Sequence, residues 1–127
     1  MRTIFWEIKQ FIQRGKRGYS DKDIWNFDEY LCDVIIGGLK CLEVSKVGYP
    51  ANLQDPEEWD SIMKNMIKGF EASKAMRNSS YMIHKSKTVN GQILYSMEIN
   101  NDLLNTLANQ EKKGLLLFVK YFGDLWD

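Results

Sequence analysis

Asp55-Pro56-Glu57-Glu58-Trp59-Asp60-Ser61-Ile62-Met63-Lys64-Asn65-Met66-Ile67-Lys68-Gly69-Phe70 decides the fold class. Asp55 is an N-cap residue whose carboxylate can accept from the unpaired amides of a first helical turn. Pro56 suits the first helical position, where its missing N–H costs nothing, and Glu57 and Glu58 sit at the positive end of the helix dipole. Behind them Trp59, Ile62, Met63, Met66, Ile67 and Phe70 recur every three or four residues and so share one face. This is an amphipathic helix with a defined start, and it predicts a mainly α protein.

Working toward the N-terminus, Lys46–Leu53 is a loop broken by Gly48 and Pro50. Ahead of it Ile24, Phe27, Leu31, Val34, Ile35, Leu39 and Leu42 form a stripe of about five helical turns, expected as one helix. Ser20 stands three residues before Asp23, a capping-box-like start with Asp in the place of Glu or Gln. Gly37-Gly38 inside the stripe costs about 1 kcal/mol per glycine relative to alanine. The expected reason is close approach of a neighbouring helix, with a kink near a site as the alternative. At the front, Ile4, Ile8, Phe11 and Ile12 share a face while Glu7, Lys9 and Gln10 lie elsewhere, so a short amphipathic helix precedes a basic turn bracketed by Gly15 and Gly18.

Working toward the C-terminus, Asn90-Gly91 lies between Thr88-Val89 and Ile93-Leu94-Tyr95. That pattern predicts a β-hairpin over 81–97 with a type I′ turn, against the alternative of continued helix with a break. A last helix runs through Leu103, Leu104 and Leu107, then resumes or continues through Leu115, Phe118, Val119 and Phe122 to Gly123. The expected architecture is mainly α: a compact three- to four-helix bundle with room for one small β-hairpin around residues 81–97, all in a single helical domain, 1–127.

Composition narrows the function classes. Apolar residues at 44% and aromatics at 13% fit a folded globule and not a disordered regulator. Formal net charge is zero, which argues against nucleic-acid coating. The charge is nevertheless segregated, basic over residues 1–20 and 61–90 and acidic over 21–33. Cys32 and Cys41, nine residues apart on one predicted helix, fall on opposite faces about 13 Å apart along its axis, which excludes a disulfide between them. Neither belongs to a CxxC pair and His84 is the one histidine, so no metal site is expected. His84 is expected to lie exposed on a polar strand. These features point to a reducing, cytoplasmic setting. No apolar run approaches the ~18 residues of a membrane span, and no signal peptide is evident, so no membrane partner is expected. GxSxG, P-loop and GxGxxG motifs are absent, and the chain is expected to be no enzyme and to carry no cofactor.

Two blocks combine rings with charge. In the first, Arg14, Lys16 and Arg17 could neutralise phosphates, Tyr19 or Trp25 could stack on a base, and Gly15 and Gly18 would let backbone approach. Asp21, Trp25, Asp28 and Cys32 form a continuous helical stripe, and Asp28 borders the apolar face, where a carboxylate must be paired or hydrogen-bonded. The competing structural reading is a salt bridge from Asp28 or Asp21 to Arg14 or Arg17. In the second block, Tyr121, Phe122, Leu125 and Trp126 are too bulky for a free tail. They are expected to dock onto the first helix or to form an oligomer contact.

At these residues the chain resembles a family of small bacteriophage- and prophage-encoded proteins. The resemblance rests on Gln13-Arg14, Arg17-Gly18-Tyr19-Ser20-Asp21, Asp23, Trp25 and Asp28. It continues in Gly48-Tyr49-Pro50, Glu58-Trp59-Asp60, Met66-Ile67, Phe70-Glu71, Gly114-Leu115, Phe118, Tyr121-Phe122 and Leu125-Trp126-Asp127. It covers residues 5–72 and 110–127; residues 78–100 fall outside it. The family brings across no settled activity, cofactor or catalytic residue. The resemblance implies a viral accessory protein of the host cytoplasm that binds instead of catalysing.

Three functional expectations follow. The first is a non-enzymatic phage protein that counters host antiviral defence by sequestering a small nucleotide-derived signal at Arg14, Lys16, Arg17, Tyr19, Trp25 and Asp28, as a homo-oligomer. The alternative is a protein–protein inhibitor or assembly factor that meets a host defence protein through the aromatic tail and the acidic face. A third class is nucleic-acid binding through Lys64, Lys68, Lys74, Arg77, Lys85 and Lys87.

Overall fold

The computed structural model describes residues 2–126 and is mainly α with one antiparallel hairpin. Helix α1 spans Arg2–Arg17, α2 Asp21–Trp25, α3 Phe27–Ser45, α4 Pro56–Arg77 and α5 Asn101–Lys120; strands β1, Met82–Val89, and β2, Gln92–Ile99, lie between α4 and α5. A 3-10 turn, Phe122–Asp124, follows α5. Contacts group the chain into two units, Met1–Val34 and Ile35–Asp127, divided within α3.

In the first unit, α1 runs through Gly15 and stops at Gly18, whose φ of +87° is the left-handed conformation that ends helices. The capping box at Ser20 forms as the sequence predicts, with Asp23 N–H donating to Ser20 Oγ at 3.3 Å and Ser20 N–H to Asp23 Oδ2 at 2.8 Å. The single helix expected over the following stripe is in fact two. Asn26, at φ −133° and ψ 61°, leaves helical geometry and ends α2, and its carbonyl accepts from Tyr30 N–H at 3.0 Å to open α3. One residue out of register hardly disturbs a hydrophobic period, which is why the pattern reads through the break. The continuous stripe of Asp21, Trp25, Asp28 and Cys32 is therefore divided between α2 and α3.

In the second unit, α4 starts as predicted: Asp55 Oδ1 accepts from Glu58 N–H at 2.8 Å, with Pro56 in the first turn. Its inner face buries Trp59, Met63, Met66, Ile67 and Phe70. Helix α5 is continuous, capped by Asn100 and packed antiparallel to α4. Trp59 meets Tyr121 at one end, and Phe70 meets Phe118 further along. Next to Phe70 on α4, and one turn before Phe118 on α5, the two backbones touch at glycines: a Cβ on Gly69 would lie 2.5 Å from Gly114 Cα, and one on Gly114 equally close to Gly69 Cα. Close helix approach thus occurs at Gly69 and Gly114. The expectation placed it at Gly37-Gly38, where an added Cβ meets nothing within 4 Å.

The hairpin has the predicted turn. Asn90 (φ 51°) and Gly91 (φ 78°) both take the left-handed conformation of a type I′ loop, and Val89 pairs with Gln92. Ile83, Ile93, Leu94, Tyr95, Met97 and Ile99 are exposed, so apolar side chains remain uncovered on both faces of the ribbon. His84 is exposed on β1, as expected. No helix among the described residues is long and apolar enough to cross a membrane.

Candidate functional site

Helix α1 binds α2 with its polar face. Seen down the axis, Gln10, Gln13, Arg14 and Arg17 occupy one sector and Ile4, Phe5, Ile8, Phe11 and Ile12 the other. The polar sector satisfies the open end of α2. Asp21 N–H donates to Gln13 Oε1 at 2.9 Å and Lys22 N–H to Gln10 Oε1 at 3.1 Å, while Ser20 takes the amide of Asp23. Three amides that a helix start leaves unpaired are thereby all met by side chains.

The two arginines of this block are engaged with carboxylates. Arg14 forks onto Asp23, Nε to Oδ2 at 2.8 Å and Nη2 to Oδ1 at 2.5 Å, and its guanidinium lies 5.2 Å from the Tyr30 ring centre. Asp23 is buried. The Arg14 guanidinium first, and then the Ser20 hydrogen bonds, hold the Asp23 carboxyl well below the usual carboxylate range despite that burial. Arg17 bonds Asp21 Oδ1 at 2.6 Å, donates through Nε to the Tyr19 carbonyl at 2.9 Å, and covers the Tyr19 ring at 4.7 Å. Asp21 also accepts from Gln13 Nε2 at 2.8 Å, and its carboxyl is lowered by Gln13 and then by Arg17.

Of the predicted ligand residues, Arg14, Arg17 and Tyr19 thus come together, but around Asp21 and Asp23. The Arg17–Asp21 bridge is one that the structural reading anticipated. Lys16 is exposed, Trp25 projects with 77% of its surface accessible, and Asp28 is exposed with Glu29 N–H donating to Oδ1 at 3.0 Å. Gln10, Gln13 and the Arg14–Asp23 pairing were missed. Their common sector on α1, turned away from the isoleucines, was the available signal.

Beside this network runs an open groove of about 500 Å³ lined by α1 and the start of α2. Arg14 is its one wall residue among the predicted set; Trp6 and Phe11 supply rings, and Lys22 Nζ sits 5.3 Å from the Trp6 ring centre. The isoleucine face of α1 is left uncovered, with Phe5 74% and Phe11 76% exposed.

The tail folds onto its own unit. Tyr121 is buried with its ring 5.5 Å from that of Trp59. Leu125 is half-buried beside Phe118, Ile35 and Leu39. Phe122 remains exposed against Phe118, and Trp126 borders a small notch with Gly48, Tyr49, Pro50, Trp59 and Asp124. Asp127 lies outside the described residues. Of the lysines considered for nucleic acid, Lys64 lies 3.8 Å from Glu43 and Lys85 2.8 Å from Glu98. Lys46 is partly buried in an ion pair with Asp60.

Comparison with protein-family models, with curated proteins and with solved structures gave no match.

Proposed function

We propose that this chain is a non-enzymatic accessory protein, phage-encoded as its resemblance implies, that works by protein–protein contact through the apolar face of α1, and that its first partner is a second copy of itself. One observation carries the reading: α1 spends its polar face on α2 and leaves Ile4, Phe5, Ile8, Phe11 and Ile12 exposed. Five such side chains offer roughly 600 Å² of apolar surface, most of the about 800 Å² each partner gives to a standard interface. At about 25 cal/mol per Å² that is about 15 kcal/mol gross from each copy, enough to meet an association cost of roughly 4–15 kcal/mol. The doubly exposed hairpin supports the same reading, since a two-stranded ribbon alone is marginal in water. Phe5→Glu with Ile12→Glu tests it. Both positions lie outside the groove and the α2 contact, and the pair should weaken self-association at least tenfold with the fold intact.

A second reading, capture of a small nucleotide-derived host signal, is favoured by the groove beside α1. Its volume falls within the roughly 300–1,000 Å³ of small-molecule sites, and Trp6, Lys22 and Arg14 offer stacking and charge. Phosphate would have to share Arg14 with Asp23. A thermal-shift panel of cyclic nucleotides, cyclic oligonucleotides and ADP-ribose derivatives tests it: one compound should give a saturable rise in Tm, reduced by Lys22→Ala. A flat response across the panel would dismiss it.

A further inference from the structure

The loop ahead of α4, the first turn of α4 and the C-terminal tail meet at the notch bounded by Trp59. Gly48-Tyr49-Pro50 comes from the loop after α3, Trp59 from the first turns of α4, and Asp124 and Trp126 from the tail. The space is about 130 Å³, far below the roughly 300–1,000 Å³ of a cofactor or nucleotide site, so it admits one compact group. Its lining residues are chemically particular: three of the six are aromatic (Tyr49, Trp59 and Trp126) and one is acidic (Asp124). Ring faces carry negative potential, and together with a carboxylate they favour a cation whose charge is spread over methyl groups, because such a cation loses little hydration on entry. Among the described residues no cation is paired with Asp124, and the nearby Lys120 lies instead over the Tyr121 ring at 5.3 Å. Trp59 is packed, 2% exposed and set against Tyr121, whereas Tyr49 and Trp126 are accessible.

We infer that this notch is a binding site for an alkylated ammonium group, recognised by Tyr49, Trp59 and Trp126 with Asp124 as counter-ion. The chemistry is shared by free quaternary amines and by methylated lysine side chains. The site is independent of the α1 face and involves none of its residues.

The test is an NMR titration of the full chain followed at the four tryptophan indoles, assigned with single Trp→Phe variants. Choline and tetramethylammonium represent the free amine, and a short peptide carrying trimethyllysine represents the side chain. The matched neutral probe is 3,3-dimethylbutan-1-ol, which has the shape of choline without its charge. Saturable shifts confined to Trp59 and Trp126, produced by a cationic probe and at least tenfold weaker with the neutral alcohol, are expected. Tyr49→Ala and Asp124→Asn, both at exposed positions, should each weaken binding several-fold, with circular dichroism unchanged. Choline binding as tightly as the peptide assigns the site to free amines; tighter peptide binding assigns it to a modified protein. Equal response to the neutral alcohol, shifts spread equally to Trp6 and Trp25, or no saturable shift with any cation would overturn the inference.

Discussion

Replacing Gly69 by alanine should destabilise the protein even though it improves helix propensity. The new Cβ would lie 2.5 Å from Gly114 Cα and 3.0 Å from the Gln110 carbonyl oxygen. Carbon atoms pack best at about 3.5–4.0 Å, so α4 and α5 would have to separate by about 1 Å. Neither obstacle is a side chain that can swing aside, which places the overpacking cost toward the upper end of about 1–3 kcal/mol. Alanine recovers about 1 kcal/mol of backbone propensity, leaving a net loss of about 1–2 kcal/mol. For a chain of this size that lowers Tm by about 4–8 °C. Gly38→Ala is the control. It sits in the interior of α3 with nothing within 4 Å of the added methyl and should gain about 0.5–1 kcal/mol. Urea unfolding followed by circular dichroism measures both. A Gly69→Ala protein as stable as the parent, or more so, would refute the backbone contact between α4 and α5.

Two further outcomes follow from the same geometry. Asp23 is held below its unfolded value, near 3.9, so its stabilising effect is complete above that pH and is lost as pH falls through the acid range. Stability should therefore decline below about pH 4, and Asp23→Asn should flatten that limb while lowering stability at neutral pH. Truncation before Tyr121 should cost about 3–5 kcal/mol, the range for losing a buried aromatic, because the Tyr121 ring completes the core at Trp59. Trp126→Ala alone should leave the melting curve unchanged, because that side chain is largely exposed; a loss equal to that of the truncation would show that Trp126, and not Tyr121, carries the packing.

How much of this was readable depends on whether the cause was local. The start of α4 and the hairpin turn were legible because Asp55-Pro56 and Asn90-Gly91 fix their backbone through their own side chains or their own φ angles. The Ser20–Asp23 cap was legible for the same reason. The break at Asn26 was not, since it leaves the apolar period almost in phase. Gly69 and Gly114 stand 45 positions apart and declare their contact only once α4 and α5 are paired. For the candidate site, the sequence placed Arg14, Lys16, Arg17, Tyr19, Trp25 and Asp28 in one block and offered the arginines either phosphate or a salt bridge to Asp21 or Asp28. Within the structure the carboxylates of Asp21 and Asp23 occupy that role, because α2 turns its N-terminus and both acids toward the polar side of α1. The notch at Trp59 brings Asp124 and Trp126 to residues more than 60 positions earlier in the chain, a proximity that no local pattern encodes.

Under the proposed function, the apolar face of α1 joins copies of the chain. Light-scattering mass measured across a wide concentration range, for the parent chain and for the Phe5→Glu, Ile12→Glu variant, tests it most directly. The parent mass should rise to a multiple of 14.9 kDa. The variant should stay at the single-chain mass with the same helical content. A parent that remains at 14.9 kDa throughout, indistinguishable from the variant, would contradict it.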